Sequence, residues 1–237
     1  MLRYKLLSPI LYISALLAFI CIAFVLILSG IIYLPLFYKN VKLCCRFILL
    51  SLFMWPKIKG KFPSEGTYII MMNHTSFLDV FIFPLIPIGA WTGITADKNF
   101  KIPIFSTIIK RIQAIPIDRG NQPAAFKSIK KAEHVLTQGI HIGILPEGTR
   151  TLDGKMRQFK KGGFHMAINT NTSIVPIGVS GAFDFKPKDR WWMKPGPINI
   201  AIGTPTNVTE YSDLGVEGLK NNVEQSIKEL SGESYEN

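Results

Sequence analysis

Tyr68-Ile69-Ile70-Met71-Met72-Asn73-His74-Thr75-Ser76-Phe77-Leu78-Asp79 reads as a strand that breaks into a polar turn and re-enters as a helix. The apolar run Tyr68 to Met72 suits a short strand buried on both faces. Ser76 and Asp79 stand three apart, directly before Val80-Phe81-Ile82-Phe83. That is capping-box spacing, with a serine N-cap and an N3 acid that reaches back to it. His74 lies five residues before Asp79, and five residues turn an ideal helix by about 500°, so the two cannot share a helix face. The spacing predicts that His74 precedes the helix and folds back over its first turn, bringing an imidazole to a carboxylate. Two readings fit these letters: a general base paired with an acid, and a capped helix in which Asp79 has no further task.

Outward from this segment the alternation continues. Strand-length apolar runs recur at Trp91 to Thr95, Ala114 to Ile117, Ile140 to Leu145, Ile174 to Val179 and Ile198 to Ile202. Between them Phe77 to Leu85, Ile104 to Lys110, Pro123 to Thr137, Gly162 to Asn169 and Glu217 to Leu230 carry apolar residues three or four apart, the helical period. Such a pattern predicts an α/β domain with a mixed, mostly parallel sheet flanked by helices, and ligand groups collected on loops at the carboxyl ends of strands. The composition shift places this domain at residues 57–237.

Residues 1–56 have another character. From Leu6 to Tyr38 no residue is charged. A helix over Ile10 to Ser29, with Pro9 in its first turn and Gly30 and Pro35 as stop signals, has about the 20 residues that span a bilayer core. A cleaved leader would have a shorter apolar region ending in small residues, whereas here Ile31, Ile32, Leu34, Leu36 and Phe37 follow, so retention in the membrane is expected. A second run, Phe47 to Trp55, is too short to span. It follows Lys39, Lys42 and Arg46 and is expected at the interface, either beside a true span or paired with the first helix as a hairpin in one leaflet.

The formal charge is +11, which favours anionic partners. With a membrane segment present, these are lipid surfaces and small anionic substrates rather than nucleic acid. Lys and Arg on the carboxyl side of the apolar segment place the globular domain on the cytoplasmic face of the inner membrane. Cys21, Cys44 and Cys45 form neither a disulfide framework nor a zinc set. No His-Glu-x-x-His, Cys-x-x-Cys, phosphate-binding P-loop or Gly-x-Gly-x-x-Gly occurs, so no metal and no nucleotide cofactor are expected. Gly178-Val179-Ser180-Gly181-Ala182 lacks the last glycine of a nucleophile elbow, which disfavours a serine hydrolase.

Three more polar clusters follow strand-like runs: Asp118-Arg119-Gly120, Pro146-Glu147-Gly148-Thr149-Arg150, and Pro176 within Ile174 to Ile177. With the His74 segment they make four blocks in order. In them the chain resembles the glycerolipid acyltransferase family, most closely the bacterial 1-acylglycerol-3-phosphate acyltransferases (lysophosphatidic acid acyltransferases), over about residues 60 to 205. That family carries a His-x4-Asp block, a strand leading to Arg, a Glu-Gly-x-Arg block and a Val-Pro block.

The resemblance implies roles. His74 is the general base that takes a glycerol hydroxyl proton as the oxygen attacks a thioester, and Asp79 orients its imidazole and stabilises the protonated form. Arg119 and Arg150 hold the acceptor phosphate, a task suited to the planar guanidinium fork. Glu147, Gly148 and Thr149 complete the substrate-binding block, with Glu147 on the acceptor hydroxyls or bracing an arginine. Lys101 is a weaker phosphate candidate, for which a solvated face is the better reading, and Pro176 a pocket wall, with a plain core strand as the alternative. The implied reaction moves a fatty acyl group from acyl-CoA or acyl carrier protein to the 2-hydroxyl of lysophosphatidic acid, giving phosphatidic acid. The alternatives are another acceptor (glycerol 3-phosphate, a lysophospholipid or a lyso-aminolipid), or a non-catalytic lipid-binding protein of the same fold.

Overall fold

The strands form because their apolar runs can be covered on both sides. In a computed structural model that describes residues 1–87, 89–118 and 120–232, they are β1 (Met54–Lys59), β2 (Ile69–Met72), β3 (Trp91–Ala96), β4 (Ile115–Ile117), β5 (His141–Ile144), β6 (Ile174–Ser180) and β7 (Gly196–Ile202). They join one sheet in the order β1-β7-β6-β2-β5-β3-β4. Strands β6, β2, β5, β3 and β4 are mutually parallel, β7 is antiparallel to β6, and β1 runs parallel to β7. The predicted mostly parallel sheet is therefore present, with β1 as an added outer strand.

The helices are α1 (Leu2–Ile32), α2 (Leu34–Ser51), α3 (Asp79–Ile82), α4 (Phe105–Arg111), α5 (Gln122–Thr137), α6 (Gly162–Thr170), α7 (Ala182–Phe185) and α8 (Gly215–Ser231). Period-2 alternation sorts them onto two faces. Ile70 and Met72 join a core with residues of α1 to α4, whereas Ile69 and Met71 join one with α5, α6 and α8. Each such fully buried side chain contributes about 1.5–3 kcal/mol, so both helical layers are held by the sheet's own residues. The central strands β2 and β5 send their chains to opposite faces, to α3 and α6. That divergence opens a crevice at their carboxyl ends, where this architecture places ligands.

The N-terminal segment departs from expectation in three ways. The first helix starts at Leu2, so Pro9 lies inside it rather than in its first turn. Gly30 does not stop it; the break comes at extended Tyr33, and Pro35 opens α2. The apolar run Phe47 to Trp55 divides between α2 and β1, because Met54 to Lys59 pair with Gly196 to Ala201.

By length and composition Leu2–Ser29 is long and apolar enough to cross a membrane. Yet α1 lies along the domain. Ser8, Leu11, Ala18, Ile22 and Leu26 are buried, while Leu2, Leu6, Ile10, Ile13, Leu17, Ile20 and Phe24 are exposed. Hydrogen bonds fasten its first half: Ser8 Oγ accepts the Met193 N–H at 2.8 Å, Tyr12 Oη donates to the Trp191 carbonyl at 2.7 Å, and Ser14 Oγ donates to the Ser51 carbonyl at 3.1 Å. Towards the other end Leu26 and Ile27 share a cleft with Ile108 and Arg111 of α4.

Candidate active site

At the end of β2, Asn73 lets the backbone turn away without opening the sheet. Its Nδ2 donates to the Val179 carbonyl at 2.9 Å and its Oδ1 accepts the Val179 N–H at 2.8 Å. The carboxamide thus imitates one more residue pair of the β2–β6 ladder. Asn73 is 1% exposed, so both backbone groups of Val179 depend on it. The sequence reading gave Asn73 no role; an asparagine at a strand end carries no signal of which backbone it will meet.

The freed chain places His74 over Asp79. His74 Nδ1 lies 2.7 Å from Asp79 Oδ2, and the same oxygen accepts the N–H groups of Thr75 at 3.0 Å and Ser76 at 3.1 Å. Ser76 Oγ accepts the Leu78 N–H at 3.3 Å. Half of the capping-box exchange is therefore made: Asp79 holds the Ser76 N–H, while Ser76 Oγ caps a turn, Ser76 to Leu78, ahead of a helix that begins only at Asp79 with Leu78 as its N-cap. The helix is short because a 3-10 turn, Phe83–Leu85, follows it directly and contains Pro84, which has no N–H to continue an α-helical ladder.

This geometry fixes the chemistry of the imidazole. An ionised carboxylate can only accept, so Nδ1 must carry the proton and Nε2 the lone pair. The Asp79 side chain is 2% exposed and that of His74 17%, so the acid is shielded from water and the base remains reachable. The negative charge beside Nδ1 stabilises the imidazolium that forms when Nε2 takes a proton.

A second loop holds the first. After β5, Gly148 adopts φ +74° and its N–H donates to the Leu145 carbonyl at 3.0 Å, a turn that a side chain would strain. It swings Glu147 inward, where Oε1 accepts the His74 N–H at 2.6 Å and Oε2 accepts the Arg157 N–H at 2.8 Å. On the other side of the same residue, the Thr151 N–H donates to the His74 carbonyl at 3.0 Å. Both backbone groups of His74 are thus tied to the loop after β5, and Glu147 is 3% exposed.

The structure therefore brings together His74, Asp79, Glu147 and Gly148. Thr149 is exposed and Arg150 half-buried, on the segment between Glu147 and Thr151. Arg119 lies outside the described residues. Lys101 is exposed at the end of a 3-10 turn after β3. Pro176 is buried in mid-strand, on the side of β6 that meets Leu230 of α8. A proline in mid-strand lacks a ladder donor, and a bulge relieves it: Ile174 bridges Thr206 and Ile177 pairs with Ile202, so the chain opposite Pro176 holds one residue more. Arg157, whose backbone N–H Glu147 holds, is a partner of the site that the sequence reading missed. Of the remaining histidines, His141 sits at the opposite end of the sheet, where its Nδ1 accepts the Tyr68 N–H at 3.0 Å. Among the described residues no group of three His, Cys, Asp or Glu side chains is placed to hold a metal ion.

The chain is similar to known proteins in sequence and in fold. A family model described as Acyltransferase matches residues 57–180. The chain is 31% identical over 209 residues to a 1-acyl-sn-glycerol-3-phosphate acyltransferase of Limnanthes douglasii, covering 82% of this chain and 74% of that one. A bacterial relative of the same description, from Borreliella burgdorferi, is 29% identical over 169 residues, covering 71% of this chain and 68% of the relative. In fold, the chain superposes on the crystal structure of the 1-acyl-sn-glycerophosphate (LPA) acyltransferase PlsC of Thermotoga maritima with a TM-score of 0.86, at 22% identity over 97% of each chain.

Proposed function

We propose, from the premise that this chain belongs to the acyltransferase family, that it transfers a fatty acyl group to the 2-hydroxyl of 1-acylglycerol 3-phosphate and forms phosphatidic acid. The observation that carries this reading is the 2.7 Å contact of His74 Nδ1 with a buried Asp79. His74 Nε2 takes the proton of the acceptor hydroxyl while the oxygen attacks the thioester carbonyl. The carbon–sulfur bond then breaks, and the departing thiolate recovers the proton from the imidazolium. An ester and a free thiol result, and no acyl-enzyme is needed. Ser76 Oγ is no competitor as nucleophile, because the residue is buried and caps the turn.

Arg119 and Arg150 neutralise the acceptor phosphate, Gly148 and Thr149 shape the turn that presents Arg150, and Glu147 braces the base. The donor is acyl-CoA or acyl carrier protein. The enzyme sits on the cytoplasmic face of the membrane, held through α1, so a bilayer-resident acceptor and a water-soluble donor meet at one boundary. With its first half fastened to the domain and its second half beside α4, α1 lies in the plane of one leaflet.

The test compares wild type with His74→Ala at equal folded amounts on lysophosphatidic acid, glycerol 3-phosphate and a lysophospholipid without a free phosphate. Wild type should prefer lysophosphatidic acid, and the variant should lose about 10²-fold or more of that rate. Equal rates for the two proteins would remove His74 from the mechanism. Preference for another acceptor would overturn the substrate and leave the base in place.

A further inference from the structure

Beside the first turns of α1 the domain holds an exposed aromatic residue of its own. Trp191, on the segment between α7 and β7, is 54% exposed, and the Tyr12 that holds its carbonyl is itself 42% exposed, at the border of the face that Leu6, Ile10 and Ile13 turn to solvent. Its position is fixed by neighbours rather than by its own burial. The Tyr12 hydroxyl holds the Trp191 carbonyl, the Met193 N–H is held by Ser8, and the rings of Tyr4 and Trp192 stack with centroids 5.8 Å apart. The Arg190 guanidinium lies 3.8 Å from the centre of the Trp192 ring, its Nε donates to the Trp192 carbonyl at 3.1 Å, and its Nη2 donates to the carbonyls of Asp184 and Phe185. A rigid frame thus holds one large indole out to solvent.

The charge around it is one-sided. Residues 1–12 and 183–195 carry Arg3, Lys5, Lys186, Lys188, Arg190 and Lys194 against Asp184 and Asp189 only. An apolar face rimmed by an indole and basic side chains is the composition of a surface that enters the headgroup layer. We infer that the segment around Trp191 is a second membrane contact, supplied by the catalytic domain itself, which seats the indole among lipid chains and its cations on anionic lipid phosphates. The inference rests on the proposed attachment through α1. A bilayer suits both features at once, because the apolar face continues along the helix beyond the reach of the loop. The loop also leaves the sheet beside the base: β6 ends at Ser180, next to the Val179 that Asn73 holds. Seating Trp191 therefore brings the carboxyl end of the sheet to the lipid.

The test uses the full chain reconstituted in phosphatidylcholine vesicles with brominated acyl chains, with and without phosphatidylglycerol, and reads tryptophan quenching. Wild type should be quenched, and Trp191→Phe should lose the share of that quenching that Trp191 adds to Trp55 and Trp192, while keeping its circular dichroism and its acyl transfer in detergent. Phosphatidylglycerol should deepen the quenching of wild type but not of the Lys188→Glu, Lys194→Glu double variant. Equal quenching of wild type and Trp191→Phe, with both on vesicles, overturns this inference and leaves the attachment through α1 standing. Failure of wild type to bind vesicles removes both. Loss of self-association in Trp191→Phe with unchanged quenching assigns the surface to a second copy of the chain, and also overturns it.

Discussion

The Glu147 carboxylate accepts the backbone N–H of His74 at 2.6 Å, joining residues 73 positions apart. Its other oxygen is taken by the Arg157 N–H, so the acid acts on the main chain that carries the base. Glu147→Gln keeps one acceptor but turns an NH2 group towards one of the two backbone donors. We expect a loss of about 1–3 kcal/mol in denaturant unfolding, since a buried donor is left facing a donor. The rate constant kcat should fall more than KM for the acceptor rises. A change confined to KM would instead assign Glu147 to the acceptor hydroxyls.

Asp79→Asn tests the pair from the other side. An asparagine oxygen can still accept from Thr75 and Ser76, but it supplies no charge to an imidazolium and no longer enforces the Nδ1–H tautomer. By analogy with the carboxylate of serine-protease triads, kcat should fall by about 10²- to 10⁴-fold, measured on protein whose unfolding midpoint shows that it is folded. Retained activity would reduce Asp79 to a helix cap.

Gly178→Ala addresses the sheet rather than the site. A Cβ at Gly178 would lie 2.3 Å from the backbone of Leu230 and Ser231, so the last turn of α8 must lift from β6. Overpacking of this kind costs about 1–3 kcal/mol, which calorimetry should register as a melting temperature lower by several degrees. Activity per folded molecule should be unchanged. An unchanged melting temperature would mean that α8 does not hold its place on β6.

Glu217 links the start of α6 to α8 through Lys161 and Lys220. Hydrogen bonds from Lys161 first, then Lys220, pull its carboxyl from the ordinary 4.5 down to about 2. A carboxyl depressed in the folded state stabilises the fold above its unfolded pKa, and that contribution fades as pH falls from about 4.5 towards 2. The group is on the surface, so the effect is small. Melting curves of wild type and Glu217→Gln should differ slightly at pH 7 and converge near pH 2; a constant gap would contradict the pairing.

Much of the site was legible because its parts are local or modular. The spacing of Ser76, Asp79 and His74 dictated a cap and a fold-back within one turn. The other half depends on register between distant strands. Nothing in the letters of Glu147 says that it meets the His74 N–H, and nothing in Asn73 says that it meets Val179, because such pairs exist only once β2 lies between β5 and β6. The same limit hid β1: Met54-Trp55-Pro56 reads as the end of an apolar run, and only its pairing with Gly196 to Ile198 makes it a strand. Pro176 was half legible, since a missing N–H demands relief, but the chain that provides it lies beyond β7.

The strand β1 also bears on how this enzyme is handled at the bench. Its residues fall on both sides of position 57, and its partner β7 relies on it to close that side of the sheet. Trimming the chain to residues 57–237 in search of a soluble catalytic fragment would remove Met54, Trp55 and Pro56 and uncover part of β7 as an open edge, a template for aggregation. It would also strip Phe37, Leu49 and Leu52 from the core they help to fill. Preparations of this enzyme should keep α1 and α2, because these apolar helices and the catalytic sheet share one core.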